Sequence, residues 1–496
     1  MSETPHSMLR RLLAFTCALL MTATATGQTG DTNRARDRED SAPRRRAPAT
    51  GPLRAHPQNP RYFTDGTKDE RGAPRVVYLT GSHTWNNLVD MGQSDPPEGF
   101  DFDAYLDFLS RYNHNFVRLW AWDSSTWDSR ANVREGNGLI FRVAPLPWAR
   151  TGPGNALDGL PKFDLTKFDP DYFDRLRARV RAAGQRGIYV SVMLFEGWGM
   201  YHANRRRTSS VGWAWRTHPF HPENNINGID ADGDAATDGP HRLGNEAVNA
   251  AQAAYIRRVV DTVNDLDNVL YEVINEGGEK DWDWWVAKTV RDHERTKPKQ
   301  HPVGITGHGA ENLASMLASP ADWISPGKKD GFGEEPPAWD GRKVSLLDTD
   351  HIWGVGGDAG WVWKSFLRGH NPIFMDPYDH RILGKGQPDQ WDALRRSMGH
   401  TRQLAGRLNL AAMAPHGELA STKYCLAEPG VAYVVYLPQG GEVSVDLTSA
   451  AGMFHVEWIH PVEGTVAKAA DVSGGDPRVF KSPLDGDGVL YLRKQP

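Results

Sequence analysis

From Arg75 to about Asp379, short apolar, β-branched runs alternate with stretches whose apolar residues recur every three or four positions. Eight of the runs read as buried strands: Val76 to Ser82, Asn115 to Asp123, Ile188 to Phe195, Val269 to Glu276, Pro302 to Gly307, Asp322 to Ser325, Val344 to Asp350, and Pro372 to Asp376. Between them, Tyr105/Leu109, Phe173/Leu176/Val180, Tyr255/Val259/Val263 and Trp391/Leu394/Met398 are spaced as helices that bury one face. Strands alternating with helices predict a parallel sheet wrapped by helices, and eight such strands are the number that closes a (β/α)8 TIM barrel, an α/β fold. Arg61 to Gly66 reads as half of a hairpin closing the barrel floor.

Beyond Leu410 the period drops to two, with Gly and Pro turns. Ala432 to Leu437, Glu442 to Leu447, His455 to Ile459 and Gly488 to Leu492 are the clearest of these runs, which predict a small antiparallel β-sandwich. The expected division is a barrel over residues 57–412 and a sandwich over 413–496. At the other end, Arg10-Arg11, the apolar segment Leu12 to Met21 and the small residues that follow read as a cleaved export signal over residues 1–27, so a periplasmic or extracellular location is expected. Residues 28–56 lack apolar periodicity and read as a disordered leader.

The chain has 496 residues, enough for a barrel with an appended module, and its net charge of −5 is spread among mixed acids and bases. That balance argues against a nucleic-acid partner. No segment reaches the length of a membrane span. Of the two cysteines, Cys17 lies in the signal and Cys425 remains alone, so no internal disulfide is expected. Eighteen tryptophans are the compositional oddity, since an indole suits sugar stacking as well as a core.

In barrels of this kind the chemistry lies at the carboxyl ends of the strands, so the polar residues there are the candidates. The fourth run, Val269-Leu270-Tyr271-Glu272-Val273-Ile274-Asn275-Glu276-Gly277-Gly278, delivers an amide and a carboxylate to a glycine turn. Glu276 is the candidate catalytic acid and Asn275, beside it, a candidate for substrate contact. The seventh run offers Asp348 and Asp350, two apart and so on one face of the strand. Asp350, nearer the mouth, is the candidate nucleophile or base, and Asp348 lies deeper beside Arg118 from the second strand. Further candidates for substrate contact are His83, Trp85, Trp120, Glu196, Trp198, His308, His351, Trp353 and Asp376. Glu196 is also the reserve acid. Each of these residues has a plain alternative as a capping, packing or salt-bridging group.

Asp230, Asp232 and Asp234 lie in a loop that alternates oxygen ligands as calcium loops do but lacks the Glu at its twelfth position. It reads either as a structural calcium site or as a Gly/Asp-rich surface turn. No organic cofactor is implied, and no His or Cys spacing argues for catalytic zinc.

The runs Tyr78-Leu79-Thr80-Gly81-Ser82-His83-Thr84-Trp85, Asn115-Phe116-Val117-Arg118-Leu119-Trp120, Tyr271-Glu272-Val273-Ile274-Asn275-Glu276 and Phe374-Met375-Asp376-Pro377-Tyr378 resemble the barrels of family 5 cellulases and apiosidase-like enzymes. Val431-Ala432-Tyr433-Val434-Val435-Tyr436-Leu437-Pro438, with Trp458 and Gly464, resembles the collagen-binding-type module attached to such barrels. The resemblance implies an exported glycoside hydrolase that cleaves a poly- or oligosaccharide with two carboxyl groups, retaining the anomer. The resembled barrels carry Glu at the seventh strand; Asp350 is one methylene shorter, which leaves inversion open. The rival reading is a non-catalytic carbohydrate- or matrix-binding protein. A metal-dependent hydrolase is the third.

Overall fold

The computed structural model describes residues 47–128, 140–201, 214–231, 239–307, 312–384 and 386–495. Its centre is an eight-stranded parallel sheet. In chain order the strands are β1 (Gly81–His83), β2 (Phe116–Leu119), β3 (Tyr189–Glu196), β4 (Val269–Asn275), β5 (Val303–Thr306), β6 (Trp323–Ser325), β7 (Val344–Asp348) and β8 (Asn371–Met375). Each strand pairs with the next around the sheet from β2 to β8, and β8 returns to β1 with Met375 opposite His83. The two remaining edges meet where Asn115 N–H donates to the Thr80 carbonyl at 2.9 Å. A Cβ on Gly81 would fall 2.0 Å from the Phe116 carbonyl, so only glycine lets β1 and β2 approach this closely. The result is a nearly closed (β/α)8 barrel.

Helices α1 (Phe102–Arg111), α2 (Pro170–Gln185), α3 (Trp198–Tyr201), α4 (Glu246–Val263), α5 (Lys280–Glu294), α6 (Leu313–Ala318), α7 (Ala359–Leu367) and α8 (Asp392–Ala405) lie between the strands. Capping is explicit in the sequence. Asp101 accepts from Ala104 N–H, Asn245 from Val248 N–H and Asp358 from Trp361 N–H, each satisfying a helix-start donor that would otherwise be orphaned. The helical apolar residues predicted above, Tyr105 and Leu109, Phe173, Leu176 and Val180, Tyr255, Val259 and Val263, and Trp391, Leu394 and Met398, are all buried in one continuous core.

Three local features depart from the sequence reading. The first predicted strand is split: Pro74–Val77 pairs with Phe63–Lys68 in a floor hairpin, and only Gly81–His83 enters the barrel. Residues inside the expected leader also take part in the fold, since Leu53 is buried and Arg54–Ala55 pairs with Phe63 and Thr64. Third, the connection between β2 and α2 adds strands of its own: Ile140–Ala144 pairs with Thr126–Asp128 and with Asp90–Gly92 from the connection after β1, and Trp148–Asn155 pairs with Pro161–Phe168.

The C-terminal segment forms a six-stranded antiparallel sheet, whose longer members are Ala432–Leu437, Met453–Ile459, Val466–Ser473 and Gly488–Lys494, and a two-stranded one from Glu442–Val445 and Arg478–Lys481. Ala432–Leu437 is buried at every residue, for a reason its alternation makes plain. Tyr433, Val435 and Leu437 pack with Val443, Val445 and Phe480 of the small sheet. Ala432, Val434 and Tyr436 pack with Trp363 and Phe366 of α7 and Leu404 of α8. Trp363 Nε1–H and Ser397 O–H both donate to the Pro461 carbonyl, at 3.1 and 3.0 Å, which fixes the segment on those two helices. No helix among the described residues is long and apolar enough to cross a membrane.

Candidate active site

The carboxyl ends of β2, β4 and β7 converge on one guanidinium. Arg118 sits mid-strand in an otherwise apolar β2, and a buried cation must find acceptors. Its Nε–H donates to Glu272 Oε2 at 2.9 Å, Nη2–H to Asn275 Oδ1 at 2.8 Å, and Nη1–H to Asp348 Oδ2 at 3.0 Å and Asp350 Oδ2 at 3.1 Å. Burial works against its charge, but Glu272 and Asp348 outweigh burial and hold the guanidinium firmly protonated. Bonds to strands four and seven at once make Arg118 a cross-brace of the barrel mouth.

Asp348, the last residue of β7, accepts His83 Nε2–H at 2.9 Å and the Asp350 backbone N–H at 3.0 Å. The second bond caps the short turn Thr349–His351 and fixes where Asp350 points. Burial alone would raise the Asp348 pKa; the charges of His83 and Arg118 reverse that and drive it well below the ordinary carboxylate range. Asp350 comes out the other way. Burial raises it, Arg118 lowers it, the neighbouring Asp348 charge raises it again, and the result is a pKa of about 6.

Glu276 follows β4 in the left-handed region, with φ of 50°, and is partly buried. Burial and then the charge of Asp350 push its pKa well above the ordinary glutamate value, with Arg118 opposing. The two carboxyls therefore sense each other electrostatically. Glu196, at the end of β3, is 1% exposed and accepts the Gly199 N–H at 3.0 Å. Burial, with Asp123 and Glu276 nearby, raises it well above its usual value too.

A relay orients Asn275. Ser325 O–H donates to His351 Nδ1 at 2.8 Å, which leaves Nε2–H to donate to Asn275 Oδ1 at 3.3 Å. With two donors on Oδ1, the amide N–H2 remains as the group that can donate.

Not every candidate is at the mouth. Trp85 and Trp120 are fully buried, packed on each other and on Trp122, with His83 stacked on Trp120, so they belong to the core beneath the site. Trp198 and Trp353 keep part of their surface open. Asp376 does not join the Arg118 cluster. It is fully buried and accepts from Arg395 Nε–H of α8 at 2.8 Å and from Tyr378 N–H at 2.8 Å, a structural ion pair that ties β8 to the last barrel helix. His308 lies outside the described residues, as do Asp232 and Asp234 of the expected calcium loop; Asp230 is described, and among the described residues no group of three or more His, Cys, Asp and Glu is placed to hold a metal.

Two features escaped the sequence reading. Glu272, inside the apolar run of β4, is the main partner of Arg118, and a carboxylate in such a run was its own signal. A hydrogen-bonded chain also links Asp123 Oδ2 to His241 Nε2–H at 2.8 Å and His241 Nδ1 to Tyr201 O–H at 3.2 Å. Tyr201 ends the four-residue α3 and His241 lies in a loop, and neither carries a periodic signal.

Eight parallel strands in a nearly closed barrel, with polar groups at their carboxyl ends, define a TIM-barrel protein. A family model described as a domain of unknown function, DUF6298, matches residues 110–309, which include Arg118, Glu196, Asn275 and Glu276 but not Asp350. No curated protein matches the chain. Among solved structures, one named as a glycoside hydrolase aligns over 90% of this chain and 97% of its own at 13% identity and a TM-score of 0.55. A family 5 glycoside hydrolase from Bacteroides vulgatus ATCC 8482 aligns over 90% of this chain and 94% of its own at 12% identity and a TM-score of 0.58. The chain shares the fold of these glycoside hydrolases.

Proposed function

We propose that the protein is an exported glycoside hydrolase acting on a poly- or oligosaccharide, with Glu276 as acid/base and Asp350 as nucleophile. The observation that carries this reading is the convergence of Asn275 at the end of β4 and Asp348 and Asp350 at the end of β7 on one guanidinium, Arg118, with Glu276 next in the chain after Asn275. Burial and the Asp350 charge favour the protonated form of Glu276, while Arg118 holds back the rise of Asp350, whose pKa is about 6. That is the pairing glycoside cleavage requires.

In the proposed reaction an Asp350 oxygen bonds to the anomeric carbon as the glycosidic C–O bond breaks, and the Glu276 proton goes to the leaving oxygen. Water then adds to the anomeric carbon, Glu276 takes a proton from it, and the Asp350 ester bond breaks. Arg118 steadies the Asp350 carboxylate, the Asn275 N–H2 meets a sugar hydroxyl, and the partly exposed Trp198 and Trp353 offer apolar ring surface to the sugar. The C-terminal segment is read as a β-sandwich that supports the barrel.

Screening the mature protein against a glycan panel, with Glu276→Gln and Asp350→Asn alongside, tests the proposal. Each variant is expected to lose about 10²- to 10⁴-fold in kcat/KM. Variants that cleave like the wild type overturn both assignments, and a wild type that binds glycans without cleaving them replaces the hydrolase with a binding protein. The anomer of the first-formed product, read by NMR, separates retention from inversion.

A further inference from the structure

The loops after β3 and β4 are locked backbone to backbone. Gly197 N–H donates to the Asn275 carbonyl at 2.7 Å. A Cβ on Gly197 would lie 2.6 Å from Gly277 Cα and 2.7 Å from the Glu276 carbonyl oxygen; one on Gly277 would lie 2.9 Å from Gly197 Cα and 2.9 Å from the Tyr201 ring. Neither position tolerates a side chain without backbone movement. Between these contacts Glu276 holds its φ of 50°, a conformation that a non-glycine residue keeps only when its surroundings over-determine it. Tyr201 is itself held, through His241, by Asp123 in the segment that follows β2.

We propose that the Gly197–Gly277 contact, backed by the Tyr201 ring, is a clamp that fixes the main chain of Glu276 and so aims its carboxyl toward Asp350. Gly197, Gly277 and Tyr201 are thus positioning residues, and the proposal rests on the reading of Glu276 as the acid. The consequence is electrostatic. Glu276 owes its high proton affinity first to burial and then to the Asp350 charge, and a loosened loop lets the carboxyl turn toward water, where it has neither. Opening the clamp therefore makes Glu276 release its proton at lower pH.

The test is a pH-difference infrared titration of the full mature protein, in which the protonated-carboxyl band of Glu276 is assigned by its loss in Glu276→Gln. Gly277→Ala forces the loops apart, and Tyr201→Ala removes the backing without adding an atom. In both, the midpoint of that band is expected to fall by about one pH unit, with thermal unfolding recorded in parallel so that a general loss of stability is seen separately. If Gly277→Ala does not fold, Tyr201→Ala carries the decision. An unchanged midpoint in a folded variant overturns the clamp. A lowered midpoint in a protein whose wild type cleaves no glycan leaves the clamp standing and overturns the hydrolase.

Discussion

Removing the Arg118 cation while keeping an unbranched stem, as Arg118→Met does, leaves Glu272, Asp348 and Asp350 facing one another in a buried space with their common partner gone. Breaking a buried ion pair from one side costs about 3–5 kcal/mol, because the abandoned charges keep their desolvation penalty. The loss depends on pH, and its sign follows from the carboxylates. In the wild type the folded-state pKa of Asp348 is depressed, so this group contributes stability above its unfolded value of about 4, and that contribution fades as pH falls. Without Arg118 the depression shrinks and the pKa of Asp350 climbs further above its unfolded value, so the folded variant binds protons more tightly than the unfolded chain. The variant is therefore expected to lose about 3–5 kcal/mol relative to wild type at pH 8 and clearly less at pH 5, where the carboxyls accept protons. Urea denaturation followed by circular dichroism at both pH values measures it. A loss equal at the two pH values, or under about 1 kcal/mol at pH 8, refutes the placement of Arg118 as the shared counter-ion.

On any glycan the protein cleaves, kcat/KM should rise as pH increases through about 6, where Asp350 ionises, and fall again at higher pH where Glu276 gives up its proton; a profile flat from pH 5 to 7 contradicts the assignment of Asp350. Asp376→Asn, which breaks the buried pair with Arg395, should cost about 3–5 kcal/mol in unfolding free energy yet leave kcat/KM of the folded enzyme within about twofold. A large kinetic loss with little change in stability would return Asp376 to the substrate site.

The barrel was legible because its strands are buried on both faces and so read as unbroken apolar runs, while its helices show their buried stripe at a different period. The same property hid one boundary. Val76 and Val77 pair in the floor hairpin and Gly81–His83 in the barrel, yet a continuous apolar run carries no mark where it changes partner. At the mouth, sequence located the acids but not their aim. Asp348 and Asp376 both occur at strand ends, and what separates them is the identity of the cation each meets: Arg118 from β2 for one, Arg395 on the outer helix for the other. Trp85 and Trp120 misled for a related reason, since an indole beside a strand end fits a sugar platform or a packed floor equally well until its neighbours are known. Tyr201 and His241 lay beyond reach because only tertiary contact brings them to Asp123.

The strand from Ala432 to Leu437, covered on one side by its own small sheet and on the other by α7 and α8, makes the tail of this chain inseparable from the rest. Cutting it away would strip the outer wall from the helix that follows the Asp350 loop and leave large aromatic rings in water. The module is accordingly no interchangeable cassette: any lineage that lost or exchanged it would have had to rebuild a flank of the barrel at the same time.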